Sequence, residues 1–203
     1  MHTTIILIRH GLTDWNAERR WQGHEDIPLN ETGIAQAEAL GRRLASWPIE
    51  TIYSSDLKRA AQTAAILGKA VDLEPIYDRS WRERDVGAFQ GLTWEEIAVE
   101  YPEEFQGMRA GTIDPPRGEE SHALYKRAVT AFNGVAIRHA EKMVAVVSHG
   151  GLLHTALLHV LGLPVDQYGR LSLRGNTGIS IVEISNGRPR LILMNDTAHL
   201  ESL

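Results

Sequence analysis

The run Thr4-Ile5-Ile6-Leu7-Ile8 leads straight into Arg9-His10-Gly11, and its reading decides the fold. A short β-branched, apolar run of this kind describes a buried strand, and the glycine turns it into a loop. Met143 to Val147 repeats the arrangement and ends in Ser148-His149-Gly150-Gly151. Two strands therefore carry the same punctuation, an imidazole followed by glycine.

Working outward, Asn30 is placed to cap a helix with apolar positions at Ile34, Ala37, Leu40 and Leu44, closed by Trp47-Pro48. Thr51 to Tyr53 reads as a third short strand, followed from Asp56 by an Ala-rich helix through Ala70. Ser121 is expected to cap a long helix with Leu124, Ala128, Ala131 and Val135 on one face, and this helix feeds the Met143–Val147 strand. Leu152 to Leu161 is the next helix, stopped by Gly162 and Pro164. Gly178 to Ile184 and Arg190 to Met194, split by Asn186-Gly187, form a closing hairpin at the sheet edge. The alternation predicts an α/β class: a three-layer α/β/α sandwich, with a mostly parallel central sheet and an antiparallel strand at its edge.

A length of 203 residues suits one domain spanning 1–203. The stretch 78–118 is less regular, with two glycines before Thr93 and the pair Pro115-Pro116. It is expected to be a lid-like insertion covering one end of the sheet. Twenty-one Lys plus Arg against 26 Asp plus Glu leave a net charge of −5, which argues against a nucleic-acid partner. No apolar stretch reaches the roughly 18 residues of a membrane span, so a cytoplasmic protein with no membrane partner is expected. A homodimer is compatible with this composition. There is no cysteine, which removes disulfides, zinc-thiolate sites and every cysteine nucleophile, and leaves acid–base and nucleophilic chemistry to nine histidines.

In open α/β sheets ligands bind beyond the carboxyl ends of the strands, where His10 and His149 both fall. The third strand leads through Ser54-Ser55-Asp56-Leu57-Lys58 to Arg59, in the first turn of a helix whose amides favour an anion. Arg9 and Arg59 can clamp phosphate oxygens with planar guanidinium groups, and a histidine between them is the natural attacker in phosphoryl transfer. A neutral His10 is required, and the neighbouring cations push its pKa down, while a hydrogen bond to a carbonyl such as that of Gly11 would fix its tautomer. His149 would donate to a phosphoryl oxygen. Glu83, within Arg82-Glu83-Arg84-Asp85-Val86-Gly87, offers a general acid for the leaving alcohol and later a base for the attacking water.

These residues stand in series with Trp15-Asn16, Gln22-Gly23, Leu29-Asn30-Glu31-Thr32-Gly33, Lys58-Arg59-Ala60 and Gly118-Glu119-Glu120-Ser121. The set closely resembles the histidine phosphatase superfamily, in its phosphoglycerate mutase-like branch, from residue 3 to about residue 160. The resemblance implies His10 as the phosphorylated nucleophile and Arg9, Arg59, His149 and Gly150 around the phosphate. It further implies Asn16 as an added phosphate donor, Glu83 as proton donor, Gln22 and Gly23 near the substrate, and Ser55 as a residue that orients His10. Leu12 departs from the acidic residue common at that position. Gln90-Gly91-Leu92 is followed by Thr93-Trp94-Glu95-Glu96 without the basic insertion of true mutases, so hydrolysis of a small phosphorylated molecule is expected over mutase chemistry. Phosphoserine phosphatases of the family share a C-terminal pattern like Asn195-Asp196-Thr197-Ala198-His199-Leu200, but carry histidine where this chain has Val86.

The blander alternatives are specific. The charged loop around Glu83 could be a solvated ion-pair network, Asn16 an Asx turn or cap, and Gln22 a partner for backbone groups. Trp15, Trp21, Trp81 and Trp94 could line an apolar binding wall or simply be core, and Arg109 and Arg117 could meet a substrate carboxylate. His149, His154 and His159 recur every fifth residue and so do not share a helix face, which predicts no metal site, and the chemistry requires no cofactor. A serine-hydrolase elbow and a phosphate-binding P-loop are both missing, since Ser148 lacks the preceding glycine and Gly68-Lys69 is followed by Ala70. The remaining alternatives are a phosphoglycerate mutase and a non-catalytic phospholigand-binding protein.

Overall fold

The structure, a computed structural model, describes residues 2–109, 113–165, 167, 171–201 and 203. In chain order the elements are β1 (Thr3–Arg9), α1 (Asp14–Ala17), α2 (Glu31–Leu44), β2 (Thr51–Ser54), α3 (Lys58–Val71), β3 (Ile76–Tyr77), α4 (Trp94–Glu100), α5 (Pro102–Arg109), α6 (Ser121–Arg138), β4 (Met143–Ser148), α7 (Gly150–Val160), β5 (Ile179–Ser185) and β6 (Arg188–Asp196). The strands form one sheet in the order β3-β2-β4-β1-β5-β6. β3, β2, β4 and β1 pair in parallel, and β5 pairs antiparallel with both β1 and β6. The reversed strand thus lies one place in from the edge, and β6 closes the sheet. Asn186 and Gly187, both with positive φ, make the tight turn between them.

Strand pleating divides the apolar residues into two layers. Ile5 and Leu7 of β1 and Val144 and Val146 of β4 pack with Leu124, Phe132 and Val135 of α6 and Leu153 and Leu157 of α7. Ile6, Ile8, Ala145 and Val147 point the other way, onto Leu40 and Leu44 of α2 and Ala60, Ala64 and Leu67 of α3. Continuous apolar runs are what a strand buried on both faces requires. Asn30 caps α2 as expected, its side chain accepting from the Gly33 amide at 2.9 Å.

Some expectations need correction. Ile34 is 41% exposed; Gly33, Ala37, Leu40, Gly41 and Leu44 supply the buried face of α2 instead. Ser121 is the first residue of α6 rather than its cap, and its hydroxyl is drawn to Asp114. Trp81 is 1% exposed and packs in the main core. Within 78–118, Val86, Phe89 and Ile97 of α4 form a small core of their own, with Trp21, Tyr101 and Phe105 packed against it. Trp21 meets Phe89 and Trp94 edge to face. No helix among the described residues is long and apolar enough to cross a membrane.

Candidate active site

The register of the central pair places the two histidines side by side. Arg9 of β1 pairs with Ser148 of β4, so the next residue of each strand leaves the sheet at the same edge. The His10 amide still donates to the Ser148 carbonyl at 2.9 Å, and the rings stand 5.2 Å apart, tilted by 55°. Next to them β2 ends at Ser54, opposite Val147, and the chain turns into α3 with Arg59 in its first turn.

His10 is buried, and its Nδ1 lies 2.7 Å from the Gly11 carbonyl, which can only accept. Nδ1 therefore carries the proton and Nε2 keeps its lone pair. Burial holds the His10 pKa well below the usual imidazole value, and Arg59 and Arg9 push it further down. Burial, not the cations, is the first cause. The loop is held from below by Thr63 of α3, whose hydroxyl accepts from the Gly11 amide at 3.0 Å. Gly11 also rests against the first turn of α2, where a Cβ would come 2.6 Å from the Gly33 carbonyl.

Arg59 is 1% exposed and spreads its fork over three partners: His149 Nδ1 at 3.2 Å, the Glu25 carbonyl at 2.7 Å and the Gly23 carbonyl at 2.8 Å. Burial lowers its pKa to about 10, which leaves it charged at neutral pH. His149 caps the entry to α7, and its Nε2 is buried with no hydrogen-bond partner among the described residues. Its pKa is also held well below the usual value, first by burial and then by Arg59. Arg9 is anchored by the carbonyls of Leu173 and Arg174 at 3.0 and 2.9 Å, and its Nε lies 3.6 Å from where a Cβ on Gly150 would stand.

The Glu83 carboxylate sits on the N-terminus of α7, accepting from the Gly151 amide at 3.0 Å and the Leu152 amide at 3.1 Å. The Arg84 amide adds a third bond at 2.8 Å. Among the described residues it is not part of the surrounding ion-pair network, in which Arg82 pairs with Asp56 and Arg84 with Asp114. Gln22 is buried with its Oε1 unpartnered among the described residues, so its side-chain oxygen is not spent on backbone groups. Gly23 adopts φ +52° beneath it. Asn16 completes the capping box of α1, whose cap is Thr13: its Oδ1 takes the Thr13 amide, the Thr13 hydroxyl and the Asn176 side chain. That commitment turns its NH2 group the other way, available as a donor.

One expectation fails here. The Ser55 hydroxyl accepts from the Leu57 amide at 3.3 Å and holds the turn into α3, rather than orienting His10. Arg117 is exposed, and the side chain of Arg109 lies outside what the structure describes. Asn176 and Thr177 were not singled out from the sequence, yet the Asn176 side chain and the Thr177 amide both donate to the His10 carbonyl, at 3.0 and 3.2 Å. Their signal was the flanking pair Gly175 and Gly178. No group of three potential metal ligands occurs among the described residues.

The geometry amounts to a nitrogen lone pair beside a second imidazole, with two guanidinium groups and a carboxylate around the end of the sheet. A family model described as histidine phosphatase superfamily, branch 1, matches residues 5–197. The chain belongs to that superfamily. It is 36% identical to phosphoglycerate mutase-like protein 4 of Arabidopsis thaliana over 98% of this chain and 88% of that protein. It is 34% identical to a metal-independent phosphoserine phosphatase of the same plant, over 99% and 84% of the two chains. Among solved histidine phosphatase-fold structures, a phosphoserine phosphatase mutant from Entamoeba histolytica in complex with phosphoserine superposes with a TM-score of 0.88. It is 31% identical, with 98% of this chain and 99% of that one covered.

Proposed function

We propose that this histidine phosphatase superfamily member hydrolyses a small-molecule phosphomonoester through a covalent phosphohistidine on His10. The observation that carries the reading is the tautomer of His10: with Nδ1–H held by Gly11 at 2.7 Å, Nε2 is the nucleophilic nitrogen. Its depressed pKa keeps it unprotonated at neutral pH. The phosphatase names of similar proteins support hydrolysis of a phosphate ester.

In the first half-reaction the Nε2 lone pair forms a bond to phosphorus while the ester P–O bond breaks. Glu83, as a carboxylic acid, gives its proton to the departing alcohol oxygen. Arg9, Arg59, the His149 Nε2–H and the Asn16 amide hold the phosphoryl oxygens, the first two as charges and the others as donors. Gln22 and the Gly150 turn border the bound ester. In the second half-reaction water attacks phosphorus, the Glu83 carboxylate takes a proton from it, and the P–N bond breaks to return the lone pair to His10. The products are an alcohol and inorganic phosphate, and neither step calls for a metal.

The test is release of phosphate from a chromogenic ester in the presence of a chelator, with wild type, His10→Ala and Glu83→Ala compared. Turnover is expected without metal, abolished by the first change and lowered by the second. An acid-labile phosphoryl adduct should be trapped by rapid quench in wild type and Glu83→Ala but not in His10→Ala. Equal turnover by all three proteins overturns the reading. Conversion of phosphoglycerates to isomers without free phosphate would assign a mutase instead, and phosphate binding without turnover a phospholigand-binding protein.

A further inference from the structure

We infer that Arg127 on α6, paired with Glu119, is the positioning residue that aims the Glu83 carboxyl at the leaving oxygen. The inference rests on the proton-donor reading of Glu83 given above. Glu83 lies on a loop between two single 3₁₀ turns, 79–81 and 87–89, and this loop belongs to no strand. A loop without a ladder must satisfy its carbonyls elsewhere.

Four consecutive carbonyls of this loop are taken by Arg127 and Ser148 from the layers beneath, and that of Glu83 also meets His24 Nε2 at 2.9 Å. Arg127 Nη1 donates to Ser80 at 3.0 Å and to Arg82 at 2.7 Å, and Nη2 donates to Glu83 at 3.2 Å. The carbonyl left between them, that of Trp81, accepts from the Ser148 hydroxyl at 2.7 Å, next in sequence to His149. The guanidinium can reach all three of its carbonyls because its plane is fixed from behind, with Nε and Nη2 on the two Glu119 oxygens at 2.8 and 2.6 Å. Glu119 ties the far side of the same loop as well. Its amide donates to the Asp85 carbonyl at 2.8 Å, and its own carbonyl accepts from Arg84 Nε at 2.9 Å.

The direction of Glu83 follows from this clamp. The loop carbonyls fix the backbone over α7, and only then do the Gly151 and Leu152 amides meet the carboxylate. On the α6 side the 3₁₀ turn that leads into this loop borders a groove of about 510 Å³ lined by Ser80, Trp81, Arg127 and Arg138. The loop therefore has room to shift when the guanidinium is removed. Every Arg127 bond named here goes to a loop carbonyl or to Glu119, so its effect is expected on the proton donor rather than on phosphate binding.

Leaving-group chemistry separates these effects. An alkyl phosphate needs a proton on its departing oxygen, whereas 2,4-dinitrophenyl phosphate expels a stable phenolate without one. For Arg127→Met and Arg127→Lys, kcat/KM on an alkyl phosphate is expected to fall about 10- to 100-fold, with kcat/KM on 2,4-dinitrophenyl phosphate held within about twofold. Glu119→Gln, which loosens the fork without shortening a side chain, should show a weaker split of the same sign and covers the case of an unfolded Arg127 variant. Combining Arg127→Met with Glu83→Gln should be no worse than Glu83→Gln alone. Loss of both substrates alike, or of neither, in folded Arg127 variants overturns the positioning role. If Glu83→Gln shows the split and the Arg127 variants do not, only this inference falls. If Glu83→Gln shows none, the proton-donor reading falls and takes this inference with it.

Discussion

Arg59 donates its Nε–H to Nδ1 of His149 at 3.2 Å, and this contact decides which nitrogen of the second histidine carries the proton. A neutral ring that accepts at Nδ1 must carry its proton on Nε2, the buried atom without a partner among the described residues. The same guanidinium holds the Gly23 and Glu25 carbonyls, so it organises both the donor and the loop that follows Gln22. Lysine has no fork that could serve three directions. Arg59→Lys is expected to lower kcat/KM by about 10²- to 10³-fold, and His149→Ala by a similar factor. Steady-state kinetics on one phosphate ester checks this, and Arg59→Lys retaining activity within about threefold would remove the fork from the mechanism.

The two central imidazoles also set a pH dependence of stability. Both are buried with native pKa values well below 6.5, first through burial and then through Arg59. Above about pH 6.5 folded and unfolded chains hold these rings neutral, and no linkage operates. Below it the unfolded chain gains protons that the folded chain does not, so stability is lost as the pH falls toward the native values. The slope approaches about 1.4 kcal/mol per pH unit for each ring that stays neutral. Urea unfolding between about pH 8 and 5 should show a midpoint that declines only in the lower part of that range. His10→Asn should have a shallower decline, and a midpoint that rises on acidification would contradict the assignment.

Much of this site was legible because strand ends and glycines announce themselves. The apolar runs that stop at Arg9-His10-Gly11 and Ser148-His149-Gly150 placed both imidazoles at one edge of the sheet, and the register of β1 against β4 makes them neighbours. Arg59 followed from its place in the first turn of α3. What periodicity could not supply was the support around these groups, which comes from contacts distant in sequence. The Asn176 bond to the His10 carbonyl spans 166 residues, and the Arg127 bond to the Glu83 carbonyl spans 44. Ser121 was misread as a cap because its residue type fits that role, whereas tertiary contact with Asp114 claims its hydroxyl. α4 had a local signal that went unused: Thr93 and Glu96 form a reciprocal capping box.

Thr177 shows how support is bound to strain. It is fully buried and β-branched, yet it has φ +53°, a conformation that such residues rarely adopt. Its hydroxyl donates to the Asn176 carbonyl at 2.8 Å, and its lone pair faces His199 Nε2 at 2.9 Å. His199 thus braces, from the C-terminal end, the turn that holds the His10 carbonyl. His199→Ala is expected to cost about 1–2 kcal/mol in urea unfolding and to lower kcat severalfold, whereas His199→Gln, which can still donate, should recover part of both. Unchanged stability in His199→Ala would show that the turn holds without this brace.

Gly151 offers the sharpest separation of stability from chemistry. It lies in the first turn of α7, where alanine would raise helix propensity by about 1 kcal/mol at most. A Cβ there would stand 2.5 Å from Glu83 Oε1, inside contact distance. That oxygen is the far end of a flexible side chain, so the fold can yield cheaply by swinging the carboxylate off the Gly151 and Leu152 amides. The fold survives, but the proton donor is displaced. Gly151→Ala should therefore melt within a few degrees of wild type and still bind phosphate. Its kcat/KM on an alkyl phosphate should fall about 10- to 100-fold, with little change on an ester whose leaving group needs no proton. Thermal melts and the two-ester comparison read these outcomes separately. Wild-type activity in Gly151→Ala would mean that the carboxylate can do its chemistry from a different perch, and that its seat on α7 is not what aims it.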